Sequence, residues 1–220
     1  MKQFLKFLIL GLFMSCSASK KIVDKPIVFN LERSELTLQY LKNRYGLEQD
    51  VPNIIPRMIV LHWTAIPTIE SSFDAFLNTK LPQWRPDIES VSGLNVSAHF
   101  LVDQDGTIYR LIPETTMARH VIGLNHCAIG VENVGGTADT PLTKSQLKSN
   151  VRLVKYLAKK YNIEYLIGHH EYTLFEGHEL WLEKDEEYRT TKSDPGNAFM
   201  AKVRKATKNF DFKPIPTIIQ

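Results

Sequence analysis

The chain has 220 residues, enough for one domain with a full core and short extensions. Its 43% hydrophobic and 23% charged residues are ordinary for a globular protein and argue against disorder. The formal charge of +3 includes Lys2 and Lys6, which lie in a removable leader, so the mature chain is near neutral and offers no electrostatic basis for binding nucleic acid.

The first residues read as an export signal. Lys2 and Lys6 precede the apolar run Phe7 to Met14, then Ser15 and Cys16. That run is too short to span a bilayer stably and has the plan of a secretory leader. Leu12 to Cys16 resembles a bacterial lipoprotein signal, although Phe13 and Met14 are bulkier than the usual pattern. The resemblance implies cleavage after residue 15, lipidation of Cys16 and a membrane anchor. Only one other cysteine exists, Cys127, so no disulfide is expected.

Residues 16–56 read as a tether followed by a helix. The stretch 17–30 is polar, and Leu31, Leu36, Leu38, Leu41 and Tyr45 fall loosely on one helical face. The main domain is expected over 57–207. Met58 to Leu61 is apolar and short, as a buried strand would be, and 69–81 reads as a helix with Phe73, Phe76 and Leu77 inward. Strands over 98–102 and 107–112 flank Asp105-Gly106, a strong hairpin signal. A strand covers 128–133. Helix 143–162 opens on a capping box of Thr143 and Gln146, with Leu147, Val151, Val154, Ala158 and Tyr161 on its inner face. A strand over 165–167 ends at Gly168. Residues 171–191 are acidic and take no assignment, 197–206 is a last helix, and 208–220 is a surface tail. This alternation predicts an α/β fold, a mixed central sheet with helices on both faces.

Several residues carry candidate chemistry. His62 ends the first strand, His169 and His170 follow the 165–167 strand, and Asp194 stands in Lys192-Ser193-Asp194-Pro195-Gly196. Two imidazoles and a carboxylate suit zinc and leave a position open for water. Adjacent residues on an extended chain point to opposite sides, so His169 and His170 cannot easily share one metal. Spacing alone does not choose between them, and each histidine could equally be a hydrogen-bonded structural residue.

Five blocks in order, Val60–Thr64, Ser97–Leu111, Ala128–Asn133, Ile167–His169 and Lys192–Gly196, resemble the type 2 N-acetylmuramoyl-L-alanine amidases, which share their fold with peptidoglycan recognition proteins. The resemblance covers roughly 57–207 and points within the family toward Gram-negative amidases, including an outer-membrane lipoprotein type. It implies one zinc ion on His62, His169 and Asp194. Glu132 would take a proton from the zinc-bound water, and Lys192 would stabilise the oxyanion. Some relatives carry a tyrosine where Ala98 stands, which leaves the acid-base work to Glu132. The bland alternatives are an ion pair of Glu132 with Arg110 or Arg119 and a solvated Lys192. His120 and Asn125 match a segment that lines the substrate groove, though a core histidine is nearly as good a reading of His120. Trp63 is a candidate for stacking on a sugar or for burial, and His99 for facing the core. The stretch 171–191 is longer than in close relatives and brings His178 near the site as a rival ligand. The implied protein is a monomeric periplasmic enzyme that cleaves the muramic acid–L-alanine amide of peptidoglycan or muropeptides. The alternatives are a non-catalytic peptidoglycan-binding protein and a hydrolase of another N-acyl amino acid.

Overall fold

The computed structural model describes residues 21–82 and 92–217. Six strands form one mixed sheet in the order β1-β4-β3-β5-β2-β6. These are β1 (Ile22–Asp24), β2 (Met58–Leu61), β3 (Phe100–Val102), β4 (Ile108–Arg110), β5 (Ala128–Asn133) and β6 (Tyr165–Gly168). Strands β3 and β4 form the antiparallel hairpin expected around Asp105-Gly106, while β3, β5, β2 and β6 run parallel. The four parallel strands are the buried ones, as parallel sheets require cover on both faces.

Side-chain alternation divides the core. Ile59 and Leu61 of β2 pack with Ile129 and Val131 of β5 beneath helices α3 (Lys144–Lys160) and α4 (Asn197–Ala206). Met58 and Val60 face the other side, against Val121, Leu124, Tyr172 and Phe175. On that side α2 (Ile69–Leu77) packs through Phe76 with Leu101 and Leu111. Helix α1 (Leu31–Tyr40) runs into a π-helical turn, Leu41–Tyr45, and buries Tyr40, Leu41 and Tyr45 with Leu94 and Met117.

One expectation is corrected here. The stretch 17–30 is no tether in its described part: β1 pairs in parallel with β4, Ile27 is buried, and Asn30 caps α1. The helix read over 31–45 packs on the main domain, where α1 and its π turn contribute to the core. The tail behaves as expected over residues 208–217, with Phe212 and Ile215 packed on the core and Lys213 paired with Glu164 at 2.5 Å. No helix among the described residues is long and apolar enough to cross a membrane.

Helix α3 begins with the expected capping box of Thr143 and Gln146. Its buried face, however, holds Gln146, Ser149, Asn150, Leu153, Val154 and Leu157, and Leu147, Val151 and Tyr161 lie at its margin. Buried polar groups explain the rotation. Gln146 Nε2 donates to the carbonyls of Val102 (3.2 Å) and Val134 (2.8 Å), and Asn150 Nδ2 donates to Asn133 Oδ1 (2.6 Å). The helix is thus tied to the ends of β3 and β5, which an apolar pattern cannot reveal. Gln146→Leu would strand the Val134 carbonyl, leave the Val102 carbonyl only its bond from the Val134 N–H, and remove half of the capping box. A buried unsatisfied group costs about 1–3 kcal/mol, so the variant should unfold at clearly lower urea with an unchanged slope, whereas an unchanged midpoint would contradict this reading.

Candidate metal centre and its cleft

Register builds the site. Leu61 of β2 pairs with Val131 of β5 and with Gly168 of β6. The next residue on each strand is therefore at one level: Glu132, His62 and His169. They stand at the carboxyl edge of the parallel strands, where open α/β sheets place their ligands. Asp194 arrives from the segment before α4. The ligand atoms of His62, His169 and Asp194 all lie within 4.8 Å of one another, and all three residues are buried. Nδ1 of His169 is 3.0 Å and Nδ1 of His62 is 3.3 Å from the same oxygen, Asp194 Oδ2, and the two rings are 4.3 Å apart.

The choice between adjacent histidines follows from this geometry. His170 turns away, with Nδ1 at 2.9 Å from the Asp194 carbonyl and Nε2 against the Asn197 amide, so it fixes the backbone that presents Asp194. His178 is also spent elsewhere. Its Nε2 meets the Tyr165 hydroxyl at 3.1 Å, and its Nδ1 accepts from the Leu180 N–H.

Electrostatics suit a cation. Burial, then the neighbouring His62, pushes His169 down to about 3, so its imidazole is neutral at pH 7 and able to ligate. Burial alone would raise Asp194, but hydrogen bonds from His169 and His62 outweigh it and hold the carboxyl well below its usual range. Two imidazoles and one carboxylate fit zinc, and the unequal softness of nitrogen and oxygen ligands suits it better than calcium or magnesium.

A cleft of about 500 Å³ opens beside this cluster, lined by Trp63, Val96, His120, Glu132, Lys192 and the ligand set's Asp194 and His169. Glu132 and Lys192 thus share the cleft with the metal candidates. Arg110 forms its ion pairs with Asp24 and Glu114. Trp63 is half-buried in the cleft wall. His120 places Nδ1 at 3.0 Å from His62 Nε2. Asn125, expected to touch substrate, is 1% exposed. Its Oδ1 accepts from the backbone N–H groups of His120 and Val121, and its Nδ2 donates to the Tyr45 hydroxyl. It holds the loop from below and also borders the smaller recess beside the cleft.

The acidic stretch 171–191 is ordered against the domain. A 3-10 turn, His169–Phe175, starts it. Trp181 stacks on Tyr172 and lies so close to Gly123, whose φ is +78°, that no Cβ would fit there. Glu183 is buried and pairs with Arg44 of the π turn at 2.6 Å. Tyr188 and Thr190 then join Tyr40, Arg119, His120 and Lys192 around a second, smaller recess. Tyr40 carries no mark of this place in the sequence, because it is put there only by contacts with distant segments. Arg119 lies over the Tyr40 ring and donates to the Tyr188 hydroxyl at 3.2 Å.

The fold and the buried His/His/Asp cluster define an α/β domain with a candidate divalent-metal centre at the carboxyl edge of its sheet. Residues 52–197 match the family described as N-acetylmuramoyl-L-alanine amidase, and the chain belongs to that family. The endolysin of Escherichia phage T7 is 36% identical over 83 residues, which cover 36% of this chain and 55% of the endolysin. Peptidoglycan recognition protein 3 of Mus musculus is 25% identical over 123 residues, covering 53% of this chain and 34% of that protein. The chain therefore spans about half the length of the phage relatives it matches. The N-acetylmuramoyl-L-alanine amidase LysC from Clostridium intestinale URNW shares the fold, with a TM-score of 0.52 at 24% identity, covering 88% of this chain and 99% of that one.

Beneath the cleft His99 is fully buried, with Nδ1 accepting from the Gly130 N–H at 3.0 Å and Nε2 donating to the Thr116 carbonyl at 2.8 Å. Burial lowers its pKa to about 4, with the bond to Thr116 opposing in part. Unfolded, it protonates near 6.5. Between those values the unfolded state binds more protons, so stability should fall as pH drops from 6.5 toward 4. The contribution is about 1.4 kcal/mol for each pH unit. Urea melts at pH 7, 6 and 5 should show this decline, shallower in His99→Gln; identical slopes in the two proteins would exclude His99 as a source.

Proposed function

We propose that this protein is a zinc-dependent amidase that hydrolyses the bond between N-acetylmuramic acid, or its anhydro form, and L-alanine in peptidoglycan or muropeptides. Membership of the amidase family supports the bond. The observation that carries the chemistry is the clustering of His62, His169 and Asp194, within 4.8 Å, at a cleft lined by His169, Asp194, Glu132 and Lys192. A binding-only module would need no such donor set beside a carboxylate and an ammonium.

An amide resists hydrolysis because its carbonyl is a poor electrophile and its amine a poor leaving group. Zinc, when bound, supplies Lewis acidity to the carbonyl and makes water acidic enough to attack near neutral pH. His62, His169 and Asp194 would hold it. Glu132 accepts the proton of the attacking water and delivers it to the departing L-alanine nitrogen. The Lys192 ammonium stabilises the negative charge that develops on the carbonyl oxygen. Trp63 offers an apolar wall for the sugar. The chain supplies every one of these groups itself, consistent with action as a monomer.

Purified enzyme given intact sacculi and anhydromuropeptides in separate digests should release free L-alanine-terminated peptides, identified by mass. Glu132→Gln should keep stoichiometric zinc and its melting temperature, yet turn over about 10²–10⁴-fold more slowly. A zinc-loaded, stable Glu132→Gln protein with near wild-type turnover would end this mechanism. Wild type that binds both substrates and cleaves neither would make the protein a peptidoglycan-binding module.

We also propose a lipid anchor on Cys16 that holds the enzyme at the periplasmic side of a Gram-negative outer membrane, for cell-wall turnover or recycling. The basic start, the apolar run and Ser15-Cys16 support it; these residues lie outside the described ones. Cys16→Ala should move the protein from the membrane fraction to the soluble periplasm. Wild-type protein without acyl mass on Cys16 would rule the anchor out.

A further inference from the structure

A hydrogen-bonded file runs through His120 to His62, and its direction follows from its acceptors. His120 Nε2 lies 3.2 Å from the Ala128 carbonyl oxygen, and a carbonyl can only accept. His120 therefore carries its proton on Nε2, and in a neutral imidazole that leaves Nδ1 as a lone pair. This Nδ1 is 3.0 Å from His62 Nε2, so His62 must donate from Nε2. The remaining nitrogen of His62, Nδ1, then bears its lone pair on the side that faces Asp194 Oδ2 at 3.3 Å.

We infer that His120 is a positioning residue for the metal centre: it fixes His62 as the Nε2–H tautomer, so that Nδ1 is the atom offered to the metal. The inference rests on the zinc reading above and gives His120 a role other than contact with substrate.

Three further observations show that the ring is held for this purpose. Gly130 of β5 lies so close to it that a Cβ there would sit 2.7 Å from the imidazole, so only glycine lets the ring lie against the strand. Asn125 Oδ1 accepts from the His120 N–H at 2.8 Å and fixes the backbone. Asn125 is itself held at 2.9 Å by the Tyr45 hydroxyl, from a segment that precedes the family match at 52–197. The file thus runs from the N-terminal extension through Asn125 and His120 to His62. Outer partners that orient a ligating histidine and fix its tautomer typically matter about 10–100-fold in metal affinity.

The test compares zinc affinity, by competition with a chromophoric chelator, in wild type, His120→Leu and His120→Asn. Leucine removes the acceptor, while asparagine can return an oxygen near the place of Nδ1. The expected result is a zinc affinity weakened about 10–100-fold in His120→Leu and largely recovered in His120→Asn, with the melting temperatures of the metal-free proteins close together. Equal affinity in all three proteins would overturn the inference while leaving the zinc site intact. Wild type that binds no zinc would overturn the zinc reading and this inference with it. Should His120→Leu fail to fold, nitrogen-15 spectra of zinc-loaded wild type decide alone. They should show His62 protonated at Nε2 and metallated at Nδ1, and His62 protonated at Nδ1 would overturn the assignment.

Discussion

The parallel register of β5, β2 and β6 is the constraint from which the site follows. Because Leu61 pairs with both Val131 and Gly168, the three residues one step further are brought side by side from positions 62, 132 and 169. A slip of one residue between β2 and β6 would turn a side chain to the opposite face and separate the two imidazoles, and one between β2 and β5 would carry Glu132 away from them. The apolar cores on both sides of the sheet oppose such a slip, since Ile59 and Leu61 pack under α3 and α4 while Met58 and Val60 pack the other way. Core burial and site geometry are therefore one property of the same four-residue strand.

Around that edge the walls of the cleft come from segments that would have no order alone. The acidic stretch 171–191 is fastened by Trp181 on Tyr172, by Arg189 over Trp181 and by the buried pair of Glu183 with Arg44. A buried ion pair of this kind is weak evidence for stability, since desolvation offsets much of the attraction. Its clearer consequence is placement: Arg44 also lies over the Tyr188 ring, and Tyr188 lines the recess beside Lys192. The N-terminal extension thus shapes the groove from one side through Tyr40 and Arg44, and from beneath through Tyr45 and Asn125.

The histidines divide their work by hydrogen bonding. His99 is saturated by Gly130 and Thr116 and supports the strand. His170 and His178 each engage both ring nitrogens away from the centre. Among the described residues, His62 and His169 are the histidines that aim a nitrogen at the Asp194 carboxylate. A count of histidines near one another in sequence could not sort them, because identical side chains differ here only in which lone pairs are already used.

What the sequence determined by itself is local. The Asp105-Gly106 turn specifies the β3–β4 hairpin, since glycine accepts the positive φ of +85° found at Gly106. Thr143 and Gln146 specify the start of α3 through bonds three residues apart. The strand-end positions of His62 and Glu132 were also legible, because short apolar runs stop there. The inner face of α3, the strand Ile22–Asp24, the structural role of Asn125 and the order in 171–191 were decided by the tertiary structure alone. Each depends on partners far along the chain: Gln146 on Val102, β1 on β4, Asn125 on Tyr45, Glu183 on Arg44. Polar side chains such as Gln146 and Asn150 look like surface residues in any hydrophobic pattern. They become core residues only when a folded backbone brings them a carbonyl or an amide to bond, which composition and periodicity do not encode.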